Sequence, residues 1–170
     1  QIHSNKFYFI NKNYKFNKKK NKGDALITNI KGVALGVLTA DCAPILIYDK
    51  HKKIIAAIHV GWRGAYREII KKVKEQCENK NNVMVILDAN HETSHVLEEL
   101  RLYSEFIPEN GLLIVEDTFL NGHPSHENFG SGPYEAVELF LKENDKFEID
   151  KSLEKFLFTL NYNGFLRRIK

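Results

Sequence analysis

The sequence predicts an α/β protein, and two observations carry that prediction. Short apolar runs of strand composition alternate with amphipathic segments of helical period, and Gly, Asn, Asp and Pro punctuate the joins. The pattern also changes near residues 79–82, from mostly strands before it to strand, helix, strand, helix after it. The charge changes sign at the same place: residues 1–81 carry 17 Lys+Arg against 6 Asp+Glu, and residues 82–170 carry 8 against 16. The organisation expected is two partial domains, 1–78 and 83–170, joined through the polar stretch 79–82.

Composition sets the outer limits. With 170 residues, 43% of them hydrophobic, the chain has the make-up of one ordinary soluble domain or of two smaller pieces. No apolar run is long enough to span a bilayer and no basic-then-apolar leader is present, so a cytoplasmic protein without a membrane partner is expected. Gln1 in place of Met suggests a processed chain or a fragment. Two cysteines, Cys42 and Cys77, make no disulfide framework and fit a reducing compartment. The tract Lys12 to Lys22, with Tyr14 and Phe16 interleaved, could attract phosphate or nucleic acid. It lacks the spacing of a groove-reading element, so a solvated loop and no nucleic-acid partner are expected.

Taken in order, Ile2 to Ile10 reads as a strand with Phe7 and Phe9 on one face and Tyr8 and Ile10 on the other. Asp24 to Thr28 and Val33 to Thr39 read as buried strands separated by the turn Lys31-Gly32. Pro44 to Tyr48 and Ile54 to Val60 are two more, joined by the charged turn Asp49 to Lys53. A helix beginning near Trp62 would bury Tyr66, Ile69, Ile70, Val73 and Cys77. Then Val83 to Asp88 is a strand ending in a carboxylate, and Ser94 to Phe106 is a helix with Val96, Leu97, Leu100 and Tyr103 inward. Gly111 to Asp117 is another strand with an acidic end, and Asn121 to Gly132 is a loop. Pro133 opens a helix to about Glu143. Strands at Lys146 to Ile149, Lys155 to Leu160 and Phe165 to Ile169 follow, the last two joined by the turn Asn161 to Gly164.

Chemistry concentrates in two places. Cys42 and His59 sit at the ends of two consecutive strands, which makes them either a metal pair or a nucleophile with its base; each reading needs a third group, and His3 is the candidate. His3, Cys42 and His59 together form a soft-to-borderline set suited to zinc, with one position left over. Zinc would hold the thiol as thiolate and lower the pKa of a water. Against this, cysteine is a common buried residue and a terminal histidine can fray. Asp41 could support a ligand or cap a turn. Arg63 could clamp an anion at the start of a helix, or simply snorkel. In the second half, Asp88, Glu116 and Asp117 lie at the carboxyl ends of strands, where open α/β sheets bind ligands, although on the residues alone strand-end solvation is the favoured account of them. His91 is a candidate general base or a helix cap.

Gln1-Ile-His3, Asp24-Ala-Leu-Ile-Thr28, Thr39-Ala-Asp-Cys42-Ala-Pro-Ile-Leu-Ile-Tyr-Asp49 and Ile58-His59-Val-Gly-Trp-Arg-Gly64 resemble the laccase-domain family (YfiH-like, "polyphenol oxidase") over residues 1–78. The resemblance implies a partial YfiH-like α/β layer domain and a zinc-dependent purine nucleoside phosphorylase with accompanying adenosine deaminase activity. His3, Cys42 and His59 match that family's metal ligands, and Arg63 its GWRG arginine. The segment that normally precedes the QxH motif, and the Gly-Pro and Tyr-Glu-Val motifs expected after the GWRG helix, are not found.

Val85-Ile-Leu-Asp88-Ala-Asn-His91, His95 to Tyr103, Leu113-Ile-Val-Glu-Asp-Thr118, Asn121-Gly-His-Pro124, Phe129 to Ala136 and Lys155 to Thr159 resemble instead the C-terminal half of the cephalosporin hydroxylase / rhamnosyl O-methyltransferase family, over residues 83–170. This implies the second half of a Rossmann-like methyltransferase sheet. It implies an S-adenosylmethionine-dependent enzyme in which Asp88, Glu116 and Asp117 match a magnesium triad. That family's cofactor-binding first half, with its Gly-rich turn, is not in this chain. The expected function is purine nucleoside phosphorolysis on zinc in the first half, with small-molecule substrates (a purine nucleoside and phosphate) and Arg63 and Cys42 as candidate catalytic residues; His91 is the candidate catalytic residue of the second half. The alternatives are methyl transfer to a sugar or related hydroxyl, and an inactive fusion of two partial domains.

Overall fold

A computed structural model describes residues 1–15, 21–40, 42–60, 66–77, 82–155 and 158–170, with the side chains of residues 66–68 left out. The fold is mixed α/β and divides into two compact units, Gln1–Val83 and Met84–Lys170. Among the described residues it has eight strands and three α-helices. No helix is long and apolar enough to cross a membrane.

In the N-terminal unit, β1 (Phe7–Ile10) pairs in parallel with β2 (Ala25–Thr28). β2 pairs antiparallel with β4 (Ile54–Val60), which also pairs antiparallel with β3 (Ala43–Asp49). The β3–β4 hairpin follows from its sequence: β3 alternates, so Ala43, Ile45 and Ile47 are buried while Leu46 and Tyr48 face out. Its turn is fixed by the buried Asp49, whose Oδ1 accepts the backbone N–H groups of His51 and Lys52 at 2.9 Å each. Helix α1 (Tyr66–Lys74) buries Ile69, Ile70 and Val73, as its period requires, and Cys77 beyond it is also buried. Each fully buried branched side chain contributes roughly 2 kcal/mol relative to exposure.

Two expectations for this unit are corrected. Residues 2–6 do not extend β1; they turn back, for a reason given below. Residues 33–39 form no strand. β2 and β4 already have partners on both edges, so this apolar run finds no ladder there, and Leu38 stays 84% exposed. The expected helix start at 61–65 and the joining residues 78–81 lie outside the described residues.

In the C-terminal unit, β5 (Asn82–Leu87, its last four residues in this unit) pairs in parallel with β6 (Leu112–Val115). Helix α2 (Thr93–Ser104) makes the crossover between them, as a parallel pair requires. β6 pairs antiparallel with β8 (Phe165–Arg168), which pairs antiparallel with β7 (Phe147–Ile149). Helix α3 (Pro133–Glu143) begins at the proline, and Glu135 Oε2 accepts the Gly132 N–H at 2.7 Å, satisfying a donor at the helix entrance. Val85, Leu87, Leu113, Val115 and Leu166 from the strands and Leu100, Tyr103, Val137 and Phe140 from the helices are buried.

The turn before β8 is built on a close approach. A Cβ on Gly164 would lie 2.2 Å from the Val115 carbonyl oxygen, so only glycine fits. The strand expected over 155–160 is absent at 155 and 158–160, and 156–157 lie outside the described residues. A short 3-10 turn, Lys151–Leu153, takes the chain away from β7.

Candidate functional site

The N-terminal unit brings His3, Cys42 and His59 together: one ligand atom from each lies within 4.8 Å of the others. Cys42 immediately precedes β3 and His59 is the penultimate residue of β4. Because Pro44 and His59 are register partners in the hairpin, Cys42 emerges beside His59. His3 arrives from a segment far away in sequence. Its ring and that of His59 are 4.9 Å apart and tilted by 59°. His59 is buried, Cys42 half-buried and His3 exposed, so the cluster opens to solvent on one side.

The residue that assembles this cluster is Asp24, just before β2. It is buried, and five donors converge on its carboxylate: the backbone N–H groups of Ile2, His3 and Ser4, the Ser4 hydroxyl, and His59 Nδ1 at 3.1 Å. Burial alone would raise its pKa, but the bonds from Ser4, Ile2 and His59 outweigh it and hold the group at about 2. This explains why residues 2–6 turn back: three successive N–H groups form an anion-binding concavity around one carboxylate. His3 takes a left-handed φ of 53° to make it. The terminus is pinned a second time, by Gln1, whose side chain donates to the Leu38 carbonyl at 2.6 Å and accepts the Leu38 N–H at 2.8 Å.

Sequence reasoning did not single out Asp24. The available signal was an acidic residue opening an otherwise buried apolar run, a place where a carboxylate survives only if donors surround it. A thiol and two imidazoles at this spacing, one imidazole buried and hydrogen-bonded to a carboxylate through Nδ1, fit a borderline metal such as zinc. Arg63 and Asp41 lie outside the described residues.

The C-terminal unit holds a second cluster. β5 and β6 are parallel and Leu87 is the register partner of Val115, so the residues that follow each strand emerge side by side. Asp88, His91 and Asp117 each place a ligand atom within 4.8 Å of the others. His91 Nε2 lies 2.9 Å from Asp117 Oδ2 and 3.9 Å from Asp88 Oδ1. Glu116 is close enough to feel them: burial raises its pKa first, the Asp88 and Asp117 charges raise it further, and His91 offsets part of this. Of the acidic triad expected here, Asp88 and Asp117 come together at ligand distance, while the third member of the group is the imidazole of His91 and not Glu116. Asp117 has a positive φ of 55°, and its N–H donates to Asn161 Oδ1 at 3.2 Å. All members are partly exposed, Asp88 by about half.

Beside the same strand ends, Gly122, His123, Pro124, Glu154, Phe158, Thr159 and Tyr162 line a cavity of about 460 Å³. The His123 and Tyr134 rings stack at 3.6 Å, Tyr134 lies parallel to Tyr162 at 6.4 Å, and the Lys151 ammonium sits 4.2 Å from the Tyr162 ring centre.

Fold and sites define an α/β protein with a separate metal-type cluster in each unit. The chain belongs to two families: residues 1–90 match the multi-copper polyphenol oxidoreductase laccase family and residues 52–169 the rhamnosyl O-methyltransferase/CmcI family, the two matches overlapping over 52–90. It is 41% identical over 106 residues to a rhamnosyl O-methyltransferase of Mycobacterium leprae, covering 61% of this chain and 45% of that protein. It is 32% identical over 153 residues to purine nucleoside phosphorylase CA_C1699 of Clostridium acetobutylicum, covering 89% of this chain and 56% of that protein. The chain thus spans about half the length of these curated relatives. Among solved structures it is similar to the Bacillus licheniformis hypothetical protein YfiH, with a TM-score of 0.45 and 14% identity over 99% of this chain and 52% of that one.

Proposed function

We propose that the N-terminal unit holds zinc through His3, Cys42 and His59 and acts on purine nucleosides. The observation that carries this reading is the convergence of a thiol and two imidazoles within 4.8 Å from three separate segments. Similarity to the Clostridium acetobutylicum purine nucleoside phosphorylase supports the substrate class. A 47% identity over 53 residues to adenosine deaminase RL5, of an unknown prokaryotic organism, supports deamination of adenosine as an accompanying activity. Zinc, when bound, supplies Lewis acidity near neutral pH.

The chain's own groups do the rest. Cys42 and His59 form the wall against which substrate is oriented, and the exposed side at His3 admits it. Arg63, carried over from the matching GWRG stretch, neutralises phosphate. A hydrogen phosphate oxygen then forms a bond to the ribose anomeric carbon as the bond to the purine nitrogen breaks, and the proton that the phosphate gives up passes to the departing purine, giving ribose 1-phosphate and the free base. The test is metal analysis of the purified chain followed by turnover of inosine and adenosine with and without phosphate. One zinc per chain and phosphate-dependent release of base are expected; less than one zinc, or base release that ignores phosphate, sinks the reading.

The Asp88–His91–Asp117 cluster favours a second reading for the C-terminal unit: magnesium held by Asp88, Glu116 and Asp117, with His91 as base toward a sugar or related hydroxyl and S-adenosylmethionine as methyl donor. Similarity to the Mycobacterium leprae enzyme supports it. Calorimetry with S-adenosylmethionine decides it, since no heat of binding removes methyl transfer. A chain that fails both tests is a folded but inactive fusion of two partial domains.

A further inference from the structure

We propose that Asp24 is the positioning residue of the N-terminal cluster: it fixes the proton of His59 on Nδ1, leaving Nε2 as the ring's lone-pair atom, and it ties the backbone of His3 to the same carboxylate. This rests on the zinc reading for its functional consequence, but its structural content stands on hydrogen-bond bookkeeping alone.

A carboxylate is acceptor-only. Oδ2 accepts the Ser4 N–H at 2.6 Å and the Ser4 hydroxyl at 2.7 Å. That hydroxyl has its proton directed to Asp24, because its oxygen accepts the Lys6 N–H at 3.2 Å. Oδ1 accepts the N–H groups of Ile2 and His3 at 2.9 Å each. Four N–H and O–H donors converging on the two oxygens favour the ionised, acceptor-only carboxylate, which has no proton to give to His59. The His59 Nδ1 contact at 3.1 Å therefore has one assignment, Nδ1–H donating to Oδ1. A neutral imidazole protonated there presents its lone pair at Nε2.

The same oxygen that orients His59 also orients the backbone of His3. Two of the three donors in the cluster are thus coupled through one atom, across 21 and 35 residues of sequence. His3 holds its left-handed backbone because the converging N–H groups over-determine it. The arrangement is a carboxylate behind a ligating imidazole, which locks its orientation and raises its basicity.

The experiment uses the full chain. In metal-free protein, 15N imidazole NMR is expected to show His59 as the Nδ1–H tautomer; an Nε2–H tautomer overturns the proposal whatever the metal result. In a zinc competition titration, Asp24→Asn is expected to bind roughly 10- to 100-fold more weakly than the parent. Binding within twofold by a folded Asp24→Asn protein overturns it as well. Where circular dichroism shows that variant unfolded, Ser4→Ala replaces it: it removes one donor from Oδ2, spares the His59 contact, and is expected to keep the Nδ1–H tautomer with a smaller loss of affinity. Loss of the tautomer in folded Ser4→Ala assigns the proton to something other than Asp24 and overturns the proposal. A parent chain with the Nδ1–H tautomer but no zinc defeats the zinc reading and leaves the role of Asp24 supported.

Discussion

The two clusters are assembled in different ways. In the N-terminal unit a buried carboxylate accepts from two separate segments, residues 2–4 and His59, and so ties two of the three donors to one group that water does not reach. In the C-terminal unit the register of two parallel strands delivers Asp88 and Asp117 close together with His91, and the groups remain partly in solvent. The first arrangement is preorganised around a carboxylate and an imidazole that are both buried, although its His3 side opens to solvent. The second depends on backbone register, and each side chain in it is worth less because water competes for it.

The sharpest way to break this contrast is at the N-terminal donors. Cys42→Ala is expected to weaken zinc binding on the order of a thousandfold, measured by competition with a chelating dye, and to leave hydrogen exchange in the C-terminal unit unchanged. Equal zinc content in the variant contradicts the site.

Next in size is a backbone change on the other side of the comparison. Gly164→Ala drives a methyl group onto the Val115 carbonyl oxygen and is expected to destabilise the C-terminal unit by about 3 kcal/mol. Because the turn carries Asn161, which accepts the Asp117 N–H, magnesium affinity should fall with it. Urea unfolding followed by unit-resolved hydrogen exchange reads both.

A third test exploits pH. Glu99 of α2 is buried, its Oε2 has no hydrogen-bond partner among the described residues, and burial pushes its pKa up to about 7. His95 Nε2 lies 3.8 Å from Oε1. The folded unit therefore keeps a proton that the unfolded chain releases near pH 4.5, so stability falls as pH rises from about 4.5 to 7, by roughly 3 kcal/mol in all. Glu99→Gln should flatten that slope; a parent chain whose C-terminal unit gains stability over the same range contradicts the assignment.

The smallest effects belong to the exposed cluster. Asp117→Asn should weaken magnesium about tenfold by calorimetry, and His91→Ala by less, since a hard cation prefers oxygen. A larger loss from His91→Ala would mark a metal that takes nitrogen.

Much of this was legible in sequence because it is local. The β3–β4 hairpin, α3 from Pro133 to Glu143 and the acidic ends of β5 and β6 follow from alternation, a helix-starting proline and strand-end carboxylates. Residues 33–39 misled because composition reports that a segment could be a strand, whereas a ladder also needs a free neighbouring edge. Helix periodicity placed Val96, Leu100 and Tyr103 inward as found, but Leu97 is only half-buried and the buried Glu99 was not singled out, since period alone does not show which polar residue the packing covers.

The sequence by itself determined which chemistry the chain carries: a thiol and imidazoles in the basic half, carboxylates in the acidic half, and the segments that bear them. Tertiary structure alone decided that Asp24 gathers residues 2–4 and His59 onto one carboxylate, and that His91 meets Asp117. The physical reason is range. Periodicity and turn chemistry act over a few residues, while a buried carboxylate must find its donors wherever the fold delivers them, because in the interior no water is there to take their place.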